Sequence, residues 1–173
     1  MISKEMESRL NDQIAKEAYA SFLYLSMSAW CEYKGLNGCA NFMKRQSAEE
    51  HMHMTKLIDY LFETNARAII SAIDQPPADF TDPKSLFEEV LGHEKHVTQS
   101  INELVEYAMV EKDHSTYNFL QWYIEEQREE ENLMRSILDK IELIGDSPQS
   151  LYFIDKELEA INNTVAKAEG GEE

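Results

Sequence analysis

Along four long stretches of this chain, apolar residues return every three or four positions, the spacing that lines one side of an α-helix. The stretches run from about Ser3 to Lys34, from about Gly38 to Asn65, from just after Asp82-Pro83 to about Lys112, and from about His114 to Ile144. Gly35, Gly38, Pro83 and Gly145 mark their edges. With 6 Gly and 4 Pro in 173 residues, little else interrupts them. A fifth, shorter helix is expected to begin at Ser147-Pro148, with serine as N-cap and proline at the first helical position. Its apolar set is Leu151, Ile154, Leu158 and Ile161. Beyond Asn162 the chain is polar and contains glycine, so one domain over 1–162 and a flexible tail over 163–173 are expected.

The connections fix the topology. Short turns after the first and third stretches make the helices on either side antiparallel. The second connection, Ala66 to Pro83, is long and contains Pro76-Pro77. Extended, about 18 residues reach about 60 Å, whereas a helix of about 28 residues is about 42 Å long. The connection can therefore climb the whole bundle and start the third helix at the end where the second began. An all-α four-helix bundle with one long crossover loop and a short fifth C-terminal helix follows.

Asp and Glu number 33 against 16 Lys and Arg, a net charge of -17. Such a chain repels nucleic acid and anionic membranes and attracts cations. Cys31 and Cys39 form no CxxC pair, which excludes a disulfide scaffold or a zinc finger. The opening MISKEMESRL lacks the apolar run of a secretory signal, and no stretch has the length and apolarity of a membrane span. Cytoplasmic residence is the expectation.

Taken at steps of three and four, the inner stripe of the first helix reads Leu10, Ile14, Glu17, Ser21, Tyr24, Ser28. The second reads Cys39, Met43, Gln46, Glu50, His53, Leu57, Tyr60, and the third Leu86, Val90, Glu94, Val97, Ile101, Leu104. The fourth reads Thr116, Leu120, Tyr123, Gln127, Glu130, Met134, Ile137, Ile141. Charges belong on the outer face of a bundle helix. One misplaced glutamate means little, but one per helix is a pattern. Each lies within about two turns of its helix midpoint, so helix direction does not matter. Glu17, Glu50, Glu94 and Glu130 should converge on one central layer, with His53 one turn from Glu50 and Gln127 one turn from Glu130.

No Lys or Arg lies on these stripes to offset that charge. Either several carboxyls are protonated or cations neutralise them, and two divalent cations would balance the four glutamates. Oxygen donors with one imidazole suit iron or manganese, with zinc also compatible. The absence of thiolates argues against copper(I) and structural zinc. One alternative is a different register with these glutamates on a solvated face; another is a helical interaction module with no metal role.

Over nearly its whole length the chain resembles the bacterial non-haem ferritins. The motifs that carry the resemblance are Glu17 with Tyr24, Ala48-Glu-Glu-His-Met-His53, Glu94, Asn118-Phe-Leu-Gln-Trp-Tyr-Ile-Glu-Glu-Gln-Arg-Glu-Glu-Glu131, and Leu151-Tyr-Phe-Ile-Asp-Lys-Glu-Leu158. The resemblance implies a ferritin-like bundle with a ferroxidase centre. Glu17, Glu50 and His53 would hold a first iron. Glu50 would bridge to a second held by Glu94 and Glu130, with Gln127 beside them. Glu49, Glu126 and Glu129 match the family's third iron site. Tyr24 would donate an electron or a hydrogen bond during oxygen reduction, whereas Trp122 reads as packing.

The same resemblance implies iron storage and detoxification: Fe(II) oxidised by O2 or H2O2 and kept as ferric oxyhydroxide inside a homo-oligomeric shell of 24 copies. Haem is not expected. Bacterioferritins carry a second Glu-x-x-His on the fourth helix, where this chain has Gln127-x-x-Glu130, and a haem-ligating methionine where it has His51. Animal ferritins line their iron channels with acids early in the fourth helix, where Tyr117 and Leu120 stand here. Glu111, Asp113 and His114 are the substitute candidates for an entry route. A di-iron enzyme acting on an organic substrate would need a pocket beside the metals.

Overall fold

The computed structural model describes residues 2–169, with side-chain surroundings through residue 164. Its five helices are α1 (Lys4–Tyr33), α2 (Asn37–Glu63), α3 (Pro83–Glu111), α4 (His114–Ile144) and α5 (Ser150–Glu169). There is no strand among the described residues.

Local signals set most of the ends. The Ser3 hydroxyl accepts from Met6 N at 3.1 Å and starts α1. Asp82 and Ser85 form a reciprocal capping box around Pro83, and Asp113 accepts from Thr116 N at 3.1 Å to start α4. Gly35 and Gly145, at φ 75 and 69, turn the chain out of α1 and α4. The start of α2 differs, because Leu36 offers no side-chain cap. The Asp155 carboxylate of α5 accepts from Cys39 N at 2.9 Å and caps it from a distance in sequence.

The crossover lies along α1. Near the start of that helix Asn11 donates to Arg67 O at 3.0 Å and accepts from Ile69 N at 2.6 Å. Further up, Ser26 donates to Pro77 O at 2.6 Å, and Phe80 stacks edge-on against Trp30. The segment thus climbs from the end of α2 to the start of α3, and α2 and α3 run in the same direction. This is the expected connectivity.

All the inner-stripe residues are buried except Ser21, which is partly exposed and bonded to Ser47. The apolar core is nonetheless not continuous. One cluster gathers Tyr24, Met27, Trp30, Met43, Phe87, Met134 and Ile137 with Ile154 and Leu158 of α5. The other gathers Met6, Leu10, Ile14, Leu57, Val97, Ile101, Leu120 and Tyr123. Between them lies a polar layer.

One expectation for the fifth helix is corrected. Ser147-Pro148 does not open α5; it forms a turn in which Ser150 N donates to Ser147 O at 3.0 Å, and the helix begins at Ser150. The helix α5 continues to Glu169, and Arg45 donates to the Asn162 side chain at 3.0 Å. The rest of the expected tail, 170–173, lies outside the described residues. Of the apolar set, Ile154 and Leu158 are buried, Ile161 is partly buried and Leu151 is exposed.

Candidate metal centre

Helix bounds put Glu17, Glu50, Glu94 and Glu130 within about one turn of the middle of their own helices. All four are buried, at 0%, 1%, 1% and 7% exposed, with His53 at 1%. Glu17, Glu50 and His53 each offer a ligand atom, and these atoms lie within 4.8 Å of one another. His53 Nδ1 is 3.6 Å from Glu50 Oε2 and has no hydrogen-bond partner. Glu17 Oε2 and both Glu50 oxygens are likewise buried without a partner. Such orphaned acceptors are costly in a protein interior. Grouped around one point, they mark a place shaped for a cation.

Glu94 and Glu130 stand opposite, each tied to a glutamine. Gln127 donates to Glu94 Oε2 at 2.9 Å, and Gln46 donates to Glu130 Oε2 at 2.9 Å. The Tyr24 hydroxyl donates to Glu94 Oε1. Tyr24 is therefore hydrogen-bonded to a carboxylate of the layer. The Tyr123 hydroxyl donates to His53 O at 2.7 Å, which pins α2 at the histidine. Trp122 packs edge-on against the His53 ring, with Lys56 Nζ 4.3 Å above its own.

The residues matched to a third iron site spread toward the surface. Glu126 Oε2 is 4.0 Å from His53 Nε2, and Glu129 is exposed. Glu49 accepts from Arg45 Nη1 at 2.7 Å, so a fixed cation already faces it.

Electrostatics reflect the crowding. Burial, and then the charges of Glu94 and Glu17, push the Glu50 carboxyl well above its ordinary 4.5. Burial raises Glu17 as well, opposed by its contacts with Glu50 and Gln13 and by the charge of Lys16. Glu94 rises to about 7 and Glu130 to about 8, burial being the main cause of both. Burial lowers His53 to about 4, so its imidazole is neutral at pH 7, the form that binds metal.

Stability of the metal-free protein should therefore depend on pH in a definite direction. Folding raises Glu94 and Glu130 above 4.5, so their contribution is complete below about 4.5 and is lost as pH climbs through about 7 and about 8. The expected result is a fall in Tm on the order of 10 °C between pH 5.5 and 8.5 in chelator. Calorimetry on the same protein with a divalent cation should show a much flatter profile, because ligation replaces protonation.

Sequence reasoning missed the groups behind the layer. Gln13 donates to Glu17 Oε1 at 2.8 Å, one turn earlier on the buried face of α1. That i,i+4 spacing was the available signal. The partner of Gln13 across the α1–α3 groove, Ser100, and the bond that Lys16 donates to it leave no mark in the sequence.

Residues 7–144 match the ferritin-like domain. The chain belongs to the ferritin family. The bacterial non-heme ferritin of Escherichia coli O6:H1 is 46% identical over 162 residues, 94% of this chain and 98% of that protein. The bacterial non-heme ferritin of Campylobacter jejuni is 47% identical over 161 residues, 93% of this chain and 96% of that one. Among solved structures, an open-pore ferritin from Archaeoglobus fulgidus superposes with a TM-score of 0.89 at 46% identity, covering 91% of this chain and 96% of that chain. A ferritin bundle built on these helices puts the carboxylate layer at mid-height, where all four bundle helices pass.

Proposed function

We propose that this protein stores iron, oxidising Fe(II) at the carboxylate layer and keeping the product as ferric oxyhydroxide inside a hollow shell of its own copies. One observation carries the reading: a buried glutamate stands at mid-height on each of four helices, Glu17 and Glu50 beside His53, and no Lys or Arg among the described residues forms an ion pair with any of those four glutamates. Glu17, Glu50 and His53 take a first Fe(II). Glu50, whose oxygens hold no hydrogen bond, bridges to a second on Glu94 and Glu130, with Gln127 alongside. Two Fe(II) give one electron each. O2 with two protons leaves as H2O2, or H2O2 with two protons leaves as two waters.

Anionic oxygen donors favour the ferric state, and a single imidazole with a neutral amide opposite keeps the product exchangeable. Hydrolysis of Fe(III) by water then builds the mineral and releases protons. Glu49, Glu126 and Glu129 form the outward step, Glu126 reaching toward His53. No haem is required. Exposed Leu151, Tyr152 and Phe153 on α5, Phe22 on α1, and Ile69 and Ile70 in the crossover support burial between copies in a 24-subunit shell. No helix among the described residues is long and apolar enough to cross a membrane, which suits a cytoplasmic store.

Aerobic addition of ferrous iron to purified protein, followed by near-ultraviolet absorbance and then sizing, tests this. Rapid oxidation with hundreds of iron atoms retained in a large particle is expected. Retention of only two per chain overturns storage, and no oxidation above the buffer rate overturns the ferroxidase.

Tyr24→Phe should separate binding from chemistry. It keeps the ring and loses the bond to Glu94. Iron stoichiometry should stay the same while initial oxidation slows about tenfold, the size of one charge-assisted hydrogen bond. Stopped-flow absorbance measures it.

A further inference from the structure

Two of the glutamates sit at the inner end of hydrogen-bond chains that begin on partly buried cations. On one side Lys16 Nζ donates to Ser100 Oγ at 2.5 Å, Ser100 donates to Gln13 Oε1 at 2.6 Å, and Gln13 Nε2 donates to Glu17 Oε1 at 2.8 Å. On the other, Arg45 Nη2 donates to Gln46 Oε1 at 3.0 Å, and Gln46 Nε2 donates to Glu130 Oε2 at 2.9 Å. Gln13 and Gln46 are fully buried. Lys16 lines an open recess of about 130 Å³ with Arg9, Asp12, Ser100, Glu103 and Leu104.

The direction of each chain is forced from outside. Ammonium and guanidinium groups only donate hydrogen bonds. Ser100 must accept from Lys16, so its single proton goes on to Gln13. Gln13 must then accept at its carbonyl and turn its NH2 to Glu17. Arg45 imposes the same orientation on Gln46. Opposite a protonated carboxyl, which both donates and accepts, a buried glutamine could otherwise present either end of its amide.

We propose that Lys16 and Arg45 are positioning residues: through Ser100–Gln13 and through Gln46 they lock the amide polarity that holds one oxygen each of Glu17 and Glu130. At Glu17 the chain takes Oε1 and leaves Oε2 as the oxygen with no partner. The chain thereby selects a single-oxygen ligand and aims it. Glu50 receives no such brace, and so stays free to change its mode of attachment between two metals. The centre therefore has braced walls and a mobile bridge.

This rests on the iron reading above, and Co(II) separates the two, because its visible spectrum reports ligand number without oxidation. Wild type should bind Co(II) in a way that Glu50→Ala abolishes. Lys16→Met and Ser100→Ala should weaken Co(II) about ten- to a hundredfold and alter the spectrum. Lys16→Arg and Ser100→Thr, which keep the donors, should restore both. In a Gln13→Leu background Lys16→Met should have no further effect, whereas simple attraction between Lys16 and the metal-site charge would persist there. Lys16→Met and Ser100→Ala binding Co(II) with wild-type affinity and spectrum would overturn the brace and leave the iron reading standing. So would a Lys16→Met effect undiminished by Gln13→Leu. Co(II) binding by wild type that Glu50→Ala does not touch would overturn the iron reading and the brace with it.

Discussion

Glu50→Gln should abolish rapid Fe(II) oxidation and, at the same time, raise the Tm of the metal-free protein at pH 8. The two effects have one cause. Glu50 is 1% exposed, neither oxygen has a hydrogen-bond partner, and Glu17, Glu94 and Glu130 all add to the pressure on its charge. A glutamine fills the same volume, carries no charge, and can donate to the unpartnered Glu17 oxygen. Exchanging a crowded buried charge for a neutral group of the same shape stabilises by about 1–4 kcal/mol, or about 5 °C in a chain of this size. With the proposed bridge gone, initial oxidation should fall about a hundredfold or more. Stopped-flow absorbance and calorimetry in chelator read the two effects. A Glu50→Gln protein that is less stable without metal, or that oxidises iron at the wild-type rate, would show that the layer is an ordinary polar patch.

The largest structural effect is expected at Gly38. A methyl group there would lie 2.0 Å from Asp155 O and 3.0 Å from Glu159 N, and backbone atoms cannot swing aside. Gly38→Ala must push α5 off the start of α2. That breaks the Asp155 cap on Cys39 and uncovers the pocket filled by Ile154 and Leu158. The cost should be about 3 kcal/mol or more, a Tm lower by about 6–12 °C. Helical circular dichroism should fall, and particle size with it, since α5 presents the exposed Leu151, Tyr152 and Phe153. Gly35→Ala is the control: it meets no atom within 4 Å and suffers only its φ of +75, worth about 1 kcal/mol.

The bundle was legible in the sequence because its helices are long enough for periodicity to average out exceptions, and because a crossover of that length has one economical path. The central layer was legible for a related reason. A glutamate inside an apolar stripe conflicts with its surroundings, and four such conflicts at matching depth locate one another. What stayed hidden depends on register between helices. Nothing near Lys16 indicates that Ser100 will stand against it, and nothing near Leu36 indicates that Asp155 will cap the helix it precedes. At the fifth helix a local signal misled. Ser147-Pro148 has the residues of a helix start, but the turn it forms hands that place to Ser150.

The divided interior has a consequence for how such a chain tolerates its own charged middle. Because grease is gathered into separate plugs above and below, each end of the barrel is sealed and cemented by its own packing. The middle storey can then carry the repulsion of its own carboxylates, with the floors on either side staying in place.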